Sequence, residues 1–189
     1  MGRVSQAQAE ENRRRVVDTA SRLFREQGTQ VSVADLMKAA GLTHGAFYKQ
    51  FTSKEALVDE ATAHAFDELT RSHTAGLAQY DGQRDAARRA LIDAYLSVEH
   101  RDDPANGCPV AALATDIARE GGGHEARRVY TEGVADFADF LGGDDQDGLV
   151  RLCTLFGALV LSRATKGSPL SEEILAAAHA ALIRGAAVE

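Results

Sequence analysis

The chain has 189 residues, of which 44% are hydrophobic and 26% charged, and a formal net charge of −7. No apolar run approaches the roughly 18 residues a membrane-spanning helix needs, and Met1-Gly2-Arg3-Val4-Ser5-Gln6 lacks the apolar stretch of a secretory signal, so a cytoplasmic protein is expected. The two distant cysteines, Cys108 and Cys153, exclude a disulfide framework and a cysteine-rich zinc site.

Scarce proline, no tryptophan and many Ala and Leu favour helices. The acidic total hides a split. Residues 1–55 hold nine Lys or Arg against six Asp or Glu, whereas the remainder holds 12 against 22. Exposed charges are screened beyond about 8 Å at physiological salt. A basic head can therefore meet nucleic acid despite an acidic body.

From Glu10 to Glu26, Val16, Val17, Ala20, Leu23 and Phe24 recur at helical steps opposite an Arg-rich face, and Gly28 ends the helix. Ser32 and Asp35 then form a cap pattern ahead of Val33, Leu36, Met37 and Ala40. Gly41 suits a turn with positive φ. Thr43 opens a very short third helix, and Thr52 with Glu55 forms a box opening a fourth that runs to about His73.

Residues 32–51 thus read as two helices joined by a tight turn, with the second left projecting. Such a helix fits the roughly 12 Å major groove. Spacing buries Leu36, Ala40, Leu42, Phe47 and Phe51, and exposes Thr43, His44, Gly45, Tyr48, Lys49 and Gln50.

Beyond a break at Gly76 to Gly82, helices are expected over about Asp85 to Val98 and from Cys108 or Pro109 past Ile117. A further one ends near Leu141, one spans Leu149 to Ala164, and a last follows Ser168-Pro169 to about Gly185. His100 to Gly107 reads as a loop, and Gly121-Gly122-Gly123 and Gly142-Gly143-Asp144-Asp145 as breaks.

The run from Ser32 to Leu57, with Ala40-Gly41, Tyr48, Phe51, Lys54 and Leu57 in register, resembles the DNA-binding signature of TetR-type repressors. The likeness begins in the first helix, at Arg13 to Gly28. It implies an all-α protein of about nine helices. An N-terminal three-helix helix-turn-helix domain (1–55) would precede a C-terminal ligand-binding and dimerisation domain (56–189).

It implies that Thr43, His44 and Gly45 face base edges, with His44 the reader and Gly45 permitting close approach. Tyr48, Lys49 and Lys54 would hold phosphate, Gln50 would share their face, and Ser32 would add a hydroxyl beside the free amides of the second helix. The partners implied are palindromic operator DNA, a twin chain and a small-molecule effector of unknown class. No membrane, cofactor or metal is expected.

The resemblance also places the dimer interface on the last two helices. Leu152, Leu155, Phe156 and Leu159 on one, with Ile174, Ala178 and Leu182 on the other, are its expected contacts. Tyr95, Cys108, Thr115, Tyr130 and Phe137, with Phe140 beside them, are candidates for the ligand pocket or for plain core. Cys108, between Gly107 and Pro109 at a helix start, could be a redox or electrophile sensor or a packing residue. Cys153 is expected to pack.

Catalysis finds no support. The sequence lacks a GxSxG elbow, an HExxH pair, a phosphate-binding glycine loop and a dinucleotide fingerprint, and its six histidines show no i, i+4 pairing. A helical dimer acting through protein partners without operator binding is the other alternative, against which Tyr48, Lys49 and Lys54 speak.

Overall fold

The computed structural model describes residues 6–119, 124–142 and 147–185, and the breaks expected at 121–123 and 143–145 lie outside them. Among the described residues there is no strand. α1 (Gln6–Gln27), α2 (Val33–Ala39) and a 3₁₀ helix (His44–Lys49) make the head. The body comprises α3 (Lys54–Gln79), α4 (Arg84–Tyr95), α5 (Val98–Asp102), α6 (Pro109–Arg119), α7 (His124–Leu141), α8 (Gly148–Ala164) and α9 (Pro169–Gly185).

Three expectations shift. The fourth helix does not stop at His73 but runs through Gly76 to Gln79, and it closes where Gly82, at φ +78°, donates its amide to Leu77 O at 3.0 Å. The stretch from His100 is not wholly loop: Ser97 caps a short α5 by accepting the His100 amide at 3.1 Å. The cap of α3 is Ser53, which accepts the Ala56 amide at 3.1 Å, rather than Thr52.

Two apolar clusters organise the molecule. One joins Val16, Ala20 and Phe24 to Leu36, Met37, Phe47, Phe51 and Leu57. It also takes in Val58 and Ala61 of α3, Leu113 and Ile117 of α6, and Ala126 of α7. The head core therefore runs past residue 55 into the body. The other cluster holds Phe66, Ile92, Tyr95, Phe137 and Leu141 with the inner faces of α8 and α9.

Polar ties reinforce that junction. Asp116 of α6 accepts the Thr29 amide at 2.8 Å, and Asp59 of α3 accepts the Ala126 amide at 3.0 Å at the start of α7. Gly28, at φ +83°, fits here doubly, since an added Cβ would sit 3.0 Å from the Asp116 carboxylate.

Candidate nucleic-acid interface and cavity

The turn into the projecting helix is built by hydrogen bonds the sequence specifies. The Ser32 hydroxyl accepts the Asp35 amide at 3.1 Å and donates to the Asp35 carboxylate at 2.6 Å. Such a cap contributes about 1 kcal/mol. At the other end of α2 the Leu42 amide donates to Met37 O (2.8 Å) and the Gly41 amide to Lys38 O (3.0 Å). That double closure needs the left-handed backbone of Gly41, at φ +70°.

The short helix that follows is anchored from beneath. Phe47 is 1% exposed and stacks on Phe51 with centroids 5.4 Å apart. Arg13 of α1 donates to the Gln50 carbonyl and to Glu60 of α3, with its guanidinium 4.3 Å above the Phe51 ring. Arg13, which sequence leaves on a polar helix face, is thus a positioning residue. No local pattern reveals this, because its partners lie 37 and 47 residues away.

Above this anchor stand Thr43, His44, Gly45, Tyr48 and Lys49, all exposed. Tyr48 is 66% exposed, its ring braced edge-on by His44 and Phe47. An added Cβ at Gly45 would meet nothing within 4 Å, so the backbone there is open to close approach. Lys54, the first residue of α3, is half-buried. Gln50 differs from its expected neighbours: its side-chain carbonyl oxygen is sealed from solvent. Ser32 is exposed, but its hydroxyl already serves the cap.

The body carries a solvent-open cavity of about 580 Å³ between α3, α4, the start of α6 and α7, with one wall residue from α1. Tyr95, Cys108, Phe137 and Phe140 line it; Thr115 and Tyr130 are not among its lining residues. Thr115 is exposed on α6, and Tyr130 donates its hydroxyl to Val110 O at 2.8 Å while packing edge-on against Phe66. Sequence reasoning missed His73, which stacks on Phe140 at 4.5 Å and is held neutral by burial, its pKa lowered to about 4.

It also missed Arg25. This α1 side chain is buried, lines the cavity, and donates to Glu68 at 2.9 Å and to Gly107 O at 3.3 Å. The head itself therefore forms part of the cavity wall.

Cys108 caps α6, with its carbonyl accepting the Ala112 amide at 3.1 Å. Burial nevertheless pushes its thiol up, outweighing the amides of Ala111 and Val110 that favour the thiolate. Its own amide donates to His100 Nε2 at 3.3 Å, while His100 Nδ1 bonds Tyr95 O at 2.7 Å. That pairing assigns a neutral imidazole carrying its proton on Nδ1. A buried, protonated thiol is poorly suited to attack by oxidants or electrophiles.

Most of the residues expected at the dimer interface are covered by the protomer itself. Leu152, Leu155, Leu159 and Leu182 are buried within the protomer's own core, and Phe156, Ile174 and Ala178 are half-buried against it. On α8 the outward apolar face is instead Leu149, Val150, Cys153, Val160 and Leu161, continued on α9 by Leu170, Ala177 and Ala181. α8 is apolar on both sides, and the pattern alone does not say which side the rest of the chain covers. Cys153 is exposed on this face, not packed.

Residues 16–61 match the family model of bacterial regulatory proteins, tetR family. Over 61 residues, 32% of its length, the chain is 41% identical to the HTH-type transcriptional regulator AcrR of Shigella flexneri, covering 28% of that protein. Over 58 residues, 30% of its length, it is 40% identical to the HTH-type transcriptional repressor KstR2 of Rhodococcus jostii, again covering 28%. In each case the match spans less than a third of the relative. In three dimensions the chain is similar to a TetR transcriptional regulator from Chloroflexus aurantiacus, with a TM-score of 0.76 at 23% identity over 94% of each chain. That likeness concerns the fold. Among the described residues, no helix is long and apolar enough to cross a membrane.

Proposed function

We propose that this chain, which belongs to the TetR family of bacterial regulatory proteins, is a cytoplasmic, homodimeric operator-binding repressor that releases DNA when a small molecule enters its cavity. The observation that carries this reading is the exposed face of Thr43, His44, Gly45, Tyr48 and Lys49, raised on a buried Phe47–Phe51 pedestal. His44 is the base reader, Gly45 admits the backbone, and Tyr48 and Lys49 hold phosphate, with Lys54 beside them at the N-terminus of α3. The kinship with a named repressor, KstR2, favours repression.

Dimerisation follows from the outward face of α8 and α9. Leu149 and Val150 are each more than 60% exposed, and with Leu161 they form an apolar stripe that a second copy would cover. A twofold pair presents two probes to half-sites one helical turn, or a multiple of it, apart.

Two helices are placed to couple cavity to groove. α1 carries Arg25 in the cavity wall and Arg13 on the carbonyl that ends the projecting helix. Twelve residues of helix separate them, about 18 Å. α3 carries His73 in the cavity wall and Glu60 against Arg13. A ligand that shifts α3 or displaces Glu68 from Arg25 reorients the probe, to the extent that it binds the two arrangements unequally.

The test is a fluorescence-anisotropy titration of labelled DNA from the region upstream of the protein's own gene. The expected result is saturable binding at 0.15 M salt, at least about 10³-fold tighter than to shuffled DNA. Equal affinity for both would contradict the reading.

A further inference from the structure

We propose that Asp18, His64 and Glu68 form a binding site for a divalent transition metal of the zinc or cobalt class, bridging the head to the body. Asp18 lies on α1, while His64 and Glu68 sit one turn apart on α3. Residues four apart on a helix share a face, so both α3 side chains meet α1 together. The seam between these helices is one of the contacts joining the head to the body.

The imidazole is the hub. His64 Nε2 is sealed from solvent and has no hydrogen-bond partner among the described residues. Asp18 Oδ1 is 3.6 Å from it and Glu68 Oε1 3.5 Å, and the three ligand atoms lie within 4.8 Å of one another.

These separations have a standard within the same molecule. Where His179 Nε2 bonds the Asp93 carboxylate directly, the distance is 2.6 Å. Two carboxylates converge on His64, yet both stand nearly an ångström further out. A tetrahedral ion with nitrogen and oxygen ligands at about 2.0–2.1 Å sets those ligands about 3.4 Å apart. The observed spacing matches an ion's edge better than a hydrogen bond.

The surroundings fit as well. The second carboxylate oxygen of Glu68 accepts from the buried Arg25 at 2.9 Å, which orients the ligand as outer-shell partners of metal sites do. The cluster offers one nitrogen and two oxygen ligands, and with Arg25 paired to Glu68 the two carboxylates leave one net negative charge for the cation. Asp18 is about half exposed, and the groove outside it is bordered by Asp67, by Arg13 and Arg14 already paired with Glu60 and Glu11, and by Arg15 bonded to Asn12, which leaves the fourth position open to solvent. Glu68 is shared with the lining of the effector cavity, whereas Asp18 and His64 border the separate groove, and the proposal does not depend on the operator-binding reading.

The experiment uses the full chain with any purification tag removed, titrated with Co²⁺ followed by visible absorption and with Zn²⁺ followed by calorimetry. The expected result is one equivalent bound per chain, with the intense visible bands of four-coordinate cobalt, displaced by Zn²⁺. Asp18→Asn, at an exposed position, and His64→Asn should each weaken binding at least about tenfold. Zn²⁺ should raise the thermal midpoint of the parent protein and not of His64→Asn. Absence of saturable binding at one equivalent, undiminished affinity in both variants, or a near-ultraviolet thiolate-to-cobalt band pointing to Cys108 or Cys153 would each overturn the proposal.

Discussion

In the head, Leu36, Met37, Phe47 and Phe51 face a single core while Thr43, His44, Tyr48 and Lys49 face away from it, so one helical repeat sorts both sets. In the body, α8 carries Leu152, Leu155 and Leu159 on one side and Leu149, Val150 and Leu161 on the other, both apolar. Periodicity separates polar from apolar, but it cannot rank two apolar faces. Where a helix meets water on one side its role is readable, and where it meets protein on two sides only the packing decides.

The sharpest way to break this comparison is to cut each region's core. Phe47→Ala should destabilise the head by about 3–5 kcal/mol. Urea denaturation followed by circular dichroism should show a lowered midpoint, and operator affinity should vanish with it. Leu155→Ala, on the inner face of α8, should destabilise the body by about 2–5 kcal/mol.

Charge on the outer face of α8 should act differently. Leu149→Asp with Leu161→Asp should change the urea midpoint of the monomer little, because both side chains are exposed, while shifting the sedimentation profile from dimer to monomer. A dimer that survived both substitutions would place the interface elsewhere.

The head was legible because its signals are local: a Ser-Asp cap, a glycine at the only conformation that closes α2, and aromatics at helical spacing. Gln50 was expected on the exposed face, yet its side-chain oxygen is sealed from solvent, and its main-chain carbonyl accepts from Arg13, 37 residues earlier. The cavity was half legible. Tyr95, Cys108 and Phe137 are aromatic or apolar residues on the right helices, whereas Arg25 and Glu68 reach the cavity from elements that sequence assigns to other tasks. His64 shows the same limit: a search for paired histidines passes over one whose partners are carboxylates, one of them on another helix.

Smaller effects sharpen the contrast. Lys49→Ala should weaken binding to every DNA sequence and lower the slope of log affinity against log salt by about 0.9, the change expected for one lost phosphate contact. In the body, His73 has a folded pKa lowered to about 4 from an ordinary 6.5 by burial. The unfolded chain therefore binds the extra proton first, so stability is intact above about pH 6.5 and declines as pH falls towards 4. The part-exposed ring limits the loss to about 1–2 kcal/mol. His73→Gln should flatten the decline in urea midpoint over that range.

The central claim is that the face from Thr43 to Lys49 enters DNA as one of a twofold pair. Hydroxyl-radical footprinting of the intact protein on its upstream DNA tests it most directly. The account predicts two protected patches on one side of the duplex, a helical turn or a multiple of it apart, both lost in Lys49→Ala with Tyr48→Ala. A single patch, or a footprint unchanged by that double substitution, would contradict it.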